Sequence, residues 1–252
     1  MAKRIKTVTG GRLSAVVCYT IPTVRDDPEE RASRGRMSKE AQELINMRRS
    51  WQKLEMMLAA NFCARDLHVV LTYDDQHLPP DRDAANKLLR KMLSQLRKYR
   101  KARDMDTKYI YVTEQLSAEG GRLHHHMVLN GTGNDVDIIR SLWPYGQVEI
   151  EQLDVWTGYE ALAKYLTKEP REVGKTENGA RTWTPSIGLA KPKAESDNVK
   201  DNVTVMAPPG AIILDRREKH NEFGDYLYLK YIMPEKKELK KGQRPPRRRK
   251  KE

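Results

Sequence analysis

The spacing of apolar residues predicts alternating helices and strands between Ser38 and Lys168. Ser38, followed by Lys39, Glu40, Ala41, Gln42 and Glu43, reads as a capped helix start. Leu44, Met47, Trp51, Leu54, Met57 and Leu58 then recur at helical spacing and extend the helix to about Ala60. Asp66 to Tyr73 (DLHVVLTY) is apolar and β-branched, a buried strand stopped by Asp74-Asp75 and Pro79-Pro80. A second helix begins at Asp83, with the stripe Leu88, Leu89, Met92, Leu93, Leu96 and Tyr99. Its other face carries Lys87, Arg90, Lys91 and Lys98 and reads as solvated. Thr107 to Gln115 and Leu123 to Asn130 are strands, with Gly120-Gly121 as a hairpin turn between them. A short helix from Asn134 or Asp135 to Leu142, a strand from Gly146 to Glu151 and a helix from Val155 to Lys168, closed by Pro170, complete the run.

The flanks are less periodic. Residues 1–37 mix glycine, proline and charge and read as an irregular N-terminal extension to a main domain over 38–192. Arg181 to Pro192 reads as a structured loop or edge segment. Val203 to Met206, Ala211 to Leu214 and Asp225 to Ile232 are candidate strands of a C-terminal extension over 193–233. Residues 234–252 form a basic, low-complexity tail that cannot bury a core and reads as disordered. The order of elements predicts an α+β fold, a mostly antiparallel sheet with helices on one face.

Charge sharpens this picture. Across 252 residues, 47 Lys and Arg against 35 Asp and Glu leave +12 at neutral pH, a field that draws polyanions, nucleic acid above all. No apolar run approaches the roughly 20 residues of a membrane helix, and the N-terminus lacks a secretory cleavage pattern. Cys18 and Cys63 give neither a disulfide framework nor a CxxC metal pattern. A cytoplasmic protein without a membrane partner is expected.

The candidate chemistry centres on His124-His125-His126. Strand alternation puts His124 and His126 on one face and His125 on the other. The flanking Leu123, Met127, Val128 and Leu129 make the strand central, where unpartnered imidazoles are costly. Glu114, near the end of the preceding strand, lies within reach of His124 across one strand spacing. Two imidazoles and one carboxylate suit Mn²⁺ or Mg²⁺ with open positions for a phosphate oxygen. A hydrogen-bonded histidine cluster and an ordinary carboxylate paired with Arg122 are the plainer alternatives.

On the helix over Val155 to Lys168, Trp156, Tyr159, Leu162, Ala163 and Leu166 form the apolar stripe. Ala161, Lys164, Tyr165 and Lys168 fall on the other side, with Tyr165 and Lys168 one turn apart. Tyr159 is thus a core residue and Tyr165 a candidate nucleophile beside a phosphate-stabilising lysine. A partly exposed tyrosine with a solvated lysine is the alternative.

Several short runs resemble one family. Leu123 to Leu129 is similar to the apolar–His–x–His–apolar signature of the HUH endonucleases, and Tyr165-Leu166-Thr167-Lys168 to their Tyr-x-x-Lys motif. Leu71-Thr72-Tyr73 resembles their first motif, a strand ending in threonine. With Glu114 ahead of Gly121-Arg122-Leu123-His124, and with SIGLAKP at residues 186–192, the segment from Ser38 to Pro192 resembles replication-associated proteins of bacterial plasmids and small single-stranded DNA phages. Two features depart from the pattern. The middle position is His125 rather than a bulky apolar residue, and Ala161 stands one turn before Tyr165, so a single-tyrosine enzyme is implied.

The resemblance implies an HUH, RRM-like or ferredoxin-like fold and a rolling-circle replication initiator in a bacterial cell. Tyr165 would attack a phosphodiester of single-stranded DNA or an origin hairpin, leaving a 5′-phosphotyrosine and a free 3′-hydroxyl. Glu114, His124 and His126 would hold Mn²⁺ or Mg²⁺, with Lys168 adding positive charge. Arg122, Lys164 and Thr72 would contact DNA, while Trp143, Tyr145 and Trp183 read as core before stacking platforms. No GxxxxGK[ST] loop is present, so unwinding would fall to a host helicase. A transposase is an alternative, as is a relaxase, although relaxases place the nucleophile ahead of the histidines. Outside the family, an oxygenase would share the ligand set without needing the basic charge. A non-catalytic basic nucleic-acid binder would leave the histidine strand unexplained.

Overall fold

The structure, a computed structural model, describes residues 2–21, 38–115, 122–154, 158–167, 182–221 and 224–234. In chain order its elements are β1 (Lys3–Gly10), β2 (Leu13–Thr20), α1 (Lys39–Asn61), β3 (Leu67–Leu71), α2 (Arg82–Lys101), β4 (Tyr109–Gln115), β5 (Leu123–Leu129), α3 (Asp135–Leu142), β6 (Val148–Gln152), α4 (Glu160–Leu166), β7 (Thr184–Pro185), β8 (Lys193–Val199), β9 (Ile212–Asn221) and β10 (Gly224–Ile232). They build an α+β fold with two five-stranded sheets among the described residues, ordered β6-β3-β5-β4-β7 and β8-β1-β2-β10-β9. Every pairing is antiparallel.

The first sheet is covered on both sides, not on the single side expected. Leu123, Met127 and Leu129 of β5 pack with Leu89, Met92, Leu93 and Leu96 of α2 and with Ile139 of α3. Val128, on the opposite side of β5, packs with Leu54, Met57 and Leu58 of α1 and with Ala163 and Leu166 of α4. The physical reason is the strand itself. All seven residues of β5 are buried, as in any strand sandwiched between two layers. The stripe read on α2 is the buried one, whereas Lys87, Arg90, Lys91 and Lys98 are exposed. Asp81 caps α2, its carboxylate accepting from the Ala84 N–H at 2.7 Å.

The expectation of irregular chain over residues 1–37 is overturned for β1 and β2. Ser14, Val16, Cys18 and Thr20 are buried in alternation, but β1 spends its length on Lys3, Arg4, Lys6, Thr7 and Thr9, which hides the strand signal. Its ladder also depends on distant partners, Lys3 pairing with Val199. The two ends of the chain therefore meet in one sheet. Val203 to Met206, expected as a strand, lies outside any ladder; Val205 instead plugs a small core with Val16, Cys18 and Leu229. Thr184–Pro185 is an edge strand, as the sequence indicated.

Helix α1 lies between the sheets. Met56 packs with Leu13 and Ile232 of the second sheet, while Leu54 and Leu58 face the first. The β1–β2 turn reaches α1 main chain directly. Gly11 has φ of 56°, and a Cβ there or on Gly10 would overlap the Ala59 or Met56 carbonyl oxygen. Buried Lys230 of β10 ties the layers further through ion pairs to Glu55 of α1, at 3.0 Å, and to Glu160 in the first turn of α4. Among the described residues no helix is long and apolar enough to cross a membrane, and Cys18 and Cys63 are free thiols.

Candidate active site

β5 is the middle strand of its sheet, and its side chains divide the three imidazoles between two layers. His125 points with Leu123, Met127 and Leu129 into the α2–α3 core and is fully buried. Thr113 Oγ1 donates its only proton to Asn86 Oδ1 at 2.6 Å, so it accepts from His125 Nδ1–H at 2.8 Å. The Tyr73 hydroxyl then donates to Nε2 at 2.7 Å. Both nitrogens are satisfied, which makes His125 a packed core histidine facing away from His124 and His126.

Burial, aided by the charge of His124 and His126, pushes the His125 pKa down to about 3. The unfolded chain takes up a proton near pH 6.5 that the folded chain refuses, so stability is full above that pH and falls as pH drops towards 3. From this group alone the loss by pH 5 is about 2 kcal/mol. His68, held down to about 4 chiefly by burial, adds a loss of the same sign. Urea unfolding of the metal-free protein at pH 7 and pH 5 measures the difference. In His125→Gln the pH-dependent loss is expected to shrink by about 2 kcal/mol, and an unchanged loss would assign it elsewhere.

On the other layer the register sets Glu114 of β4 directly opposite His124 of β5 and Val112 opposite His126. Glu114, His124 and His126 are all buried and converge. Glu114 Oε2 lies 3.1 Å from His124 Nε2 and 3.0 Å from His126 Nε2, and the two nitrogens are 3.1 Å apart. Donors set at right angles around one ion, with bonds of about 2.1 Å, stand about 3.0 Å apart. The three atoms thus fit one face of an octahedral cation, and this group can hold a metal. Burial pushes the Glu114 carboxyl up, but hydrogen bonds and charge from both histidines outweigh it and hold the pKa down at about 2, keeping the carboxylate anionic. The pairing of Glu114 with Arg122 does not form; Arg122 binds Asp75 at 2.6 Å and the Tyr73 carbonyl at 2.9 Å.

The far side of each imidazole is also engaged. His124 Nδ1 lies 3.3 Å from the Arg122 carbonyl, which can only accept. His126 Nδ1 lies 3.3 Å from Nε2 of His68 on β3. The sequence reading missed His68. The available signal was a histidine at an alternate position of the apolar run DLHVVLTY, next to a strand that itself carries histidines.

Tyr165 sits where the helical stripe placed it. Tyr159, Ala163 and Leu166 are buried, whereas Ala161, Lys164 and Tyr165 are exposed, Tyr165 to 42%. Its hydroxyl is 3.4 Å from His126 Nε2, and the two rings meet edge-on with centroids 5.0 Å apart. Helix α4 is shorter than the expected Val155 to Lys168, and Lys168 lies outside the described residues, as do Trp156 and the Gly120-Gly121 turn. Lys164 pairs with Glu160 and lies 4.8 Å over the Trp51 ring.

Beside His124 opens a cavity of about 480 Å³ lined by Thr72, Asp74, Asp75, Arg122, Gly146 and Gln147, among others. Thr72 shapes it by accepting from the Gln147 N–H at 3.2 Å, and a Cβ on Gly146 would overlap the Thr72 carbonyl. Trp143 is core, as expected, its indole N–H donating to that carbonyl at 2.9 Å. Trp183 packs at the edge of the α1–α4 core and Tyr145 at that of the α2–α3 core.

Residues 66–170 match the family of replication-associated proteins described under the name ORF2. The matched segment runs from just before β3 to just beyond α4 and contains Glu114, His124, His126 and Tyr165. Among solved structures, the chain is similar to the hypothetical protein ORF119 from Sulfolobus islandicus rod-shaped virus 1 at 15% identity and a TM-score of 0.34, over 50% of this chain and 97% of that one. The comparison with curated proteins finds no significant match.

Proposed function

We propose that this protein is a metal-dependent transesterase that nicks and rejoins single-stranded DNA through Tyr165 and so initiates rolling-circle replication. The observation that carries this reading is the convergence of three donor atoms, 3.0 to 3.1 Å apart, with a solvent-accessible phenol 3.4 Å from one of them. The match of the same segment to replication-associated proteins supports the biological setting.

Glu114, His124 and His126 would hold Mn²⁺ or Mg²⁺, which supplies Lewis-acid polarisation of the scissile phosphate. The chain's own residues do the rest. Tyr165 Oη forms a bond to phosphorus while the bond to the 3′ oxygen breaks. The phenolic proton is lost, the departing oxygen gains one, and a phosphodiester is exchanged for a phosphotyrosyl diester. No water is consumed, so the step runs in both directions and can rejoin ends. Lys168 would add fixed positive charge near this phosphate.

Thr72 and Arg122 line the cavity beside His124 and are placed for the strand entering the site. Lys164, one residue from the nucleophile, would contact the backbone at the helix side. The basic face of α2 belongs to the opposite side of the sheet and would serve flanking DNA through phosphate contacts. Incubation with Mn²⁺ and single strands of randomised sequence is expected to yield a protein–DNA adduct that survives denaturing electrophoresis, and none with EDTA. A nicked product lacking any adduct would replace the phosphotyrosine with hydrolysis.

A further inference from the structure

The two histidines of the candidate metal group are oriented by different means. For His124 the partner of Nδ1 is a main-chain carbonyl, which accepts and never donates. The proton must then sit on Nδ1, and the Nε2 lone pair faces Glu114. His126 meets at Nδ1 a side chain from the neighbouring strand, His68, at 3.3 Å. The register explains the meeting. Val70 of β3 stands opposite His126 and His68 opposite Val128, so His68 is the diagonal neighbour of His126 on the same face. The rings stack with centroids 5.4 Å apart and planes 12° from parallel. The Tyr165 ring stands edge-on to His68 as well, at 6.4 Å and 89°.

We propose that His68 is a positioning residue for this centre: its Nε2 accepts the Nδ1 proton of His126 and fixes the tautomer whose Nε2 lone pair faces Glu114 and His124. An imidazole ligates through an unprotonated nitrogen, and the hydrogen bond made by its other nitrogen decides which one that is. Without an acceptor at Nδ1, the His126 proton is free to reside on Nε2, where it would close the site. By packing against both His126 and Tyr165, His68 also holds ligand and phenol in their mutual arrangement. Its contribution to metal binding rests on the metal-centre reading above, whereas its control of the tautomer does not.

The test uses the full chain as wild type, His68→Leu and His68→Gln, with thermal melting as a check on folding. Gln offers an acceptor oxygen at this position and Leu offers none. Nitrogen-15 spectra of the metal-free protein are expected to show His126 in the Nδ1–H form in wild type and His68→Gln, and as a tautomer mixture in His68→Leu. Calorimetry is expected to show Mn²⁺ affinity about 10- to 100-fold weaker in His68→Leu and largely restored in His68→Gln. If His68→Leu keeps the Nδ1–H form, the inference is overturned whether or not metal binds. If wild type shows the expected tautomer and binds no Mn²⁺, the metal reading fails while the positioning role of His68 stands.

Discussion

Replacing Tyr165 by Phe is expected to reduce covalent adduct formation by about 10³-fold or more, the scale on which loss of a nucleophile acts. The substitution removes one oxygen and keeps the ring. The edge-on contacts with His126, at 5.0 Å, and His68, at 6.4 Å, survive it. The side chain is 42% exposed, so little burial is lost and the melting temperature should stay within a few degrees. Mn²⁺ affinity and binding of single-stranded DNA should remain within about twofold of wild type, since neither depends on the phenolic oxygen in this account. Retention of the adduct in Tyr165→Phe, read on a denaturing gel, would move the nucleophile to another residue. Loss of metal binding together with the adduct would make Tyr165 a ligand instead.

The second large effect is expected at Glu114. Its carboxylate is the only anionic member of the group, and the two Nε2 atoms of His124 and His126 lie 3.1 Å apart beside it. Glu114→Ala should weaken Mn²⁺ binding by about 100-fold or more and abolish the adduct at any practical metal concentration, because a hard cation needs oxygen donors and charge balance. Thermal melting supplies the readout. A ligand that binds only the folded state adds about 2.7 kcal/mol of stability at a concentration 100 times its Kd. Mn²⁺ should therefore raise the wild-type melting temperature by several degrees and leave Glu114→Ala unmoved. An equal rise in both would put the cation elsewhere.

Where local pattern determined structure, the sequence was readable. The stripe of α2, the burial of Tyr159 against the exposure of Tyr165, and the alternation of His124, His125 and His126 all follow from the periods of helix and strand. Glu114 was readable because a short connection leaves few registers for β4 against β5. His68 was not, since its relation to His126 depends on how β3 aligns with β5 across a long stretch of chain, and a slip of one residue would turn it to the other face. The second sheet failed for a related reason. The β1 sequence KRIKTVTG looks polar until β2 and β8 lie on either side of it, and β8 comes from the far end of the chain. The covering of both faces of the first sheet was legible in principle, because β5 has apolar residues at both parities.

His125 shows how a departure from a familiar pattern can be structural. Three consecutive histidines leave open which pair belongs together, and periodicity alone ranks the choices without excluding any. Hydrogen bonds from Tyr73 and to Thr113 occupy both ring nitrogens in a layer of leucines and methionines. That leaves His124 and His126 as the pair on the phenol's side of the sheet.

The account turns on a covalent bond between DNA and one phenolic oxygen, made only when a divalent cation is present. The most direct measurement is to react the wild-type protein with Mn²⁺ and single-stranded DNA carrying a 3′-terminal label, digest the product with protease and nuclease, and locate the modified peptide by mass spectrometry. The predicted result is a labelled adduct whose nucleotide is attached through its 5′ phosphate to Tyr165, absent with EDTA and absent in Glu114→Ala. A nucleotide attached to any other residue, or an adduct formed equally well without metal, would contradict it.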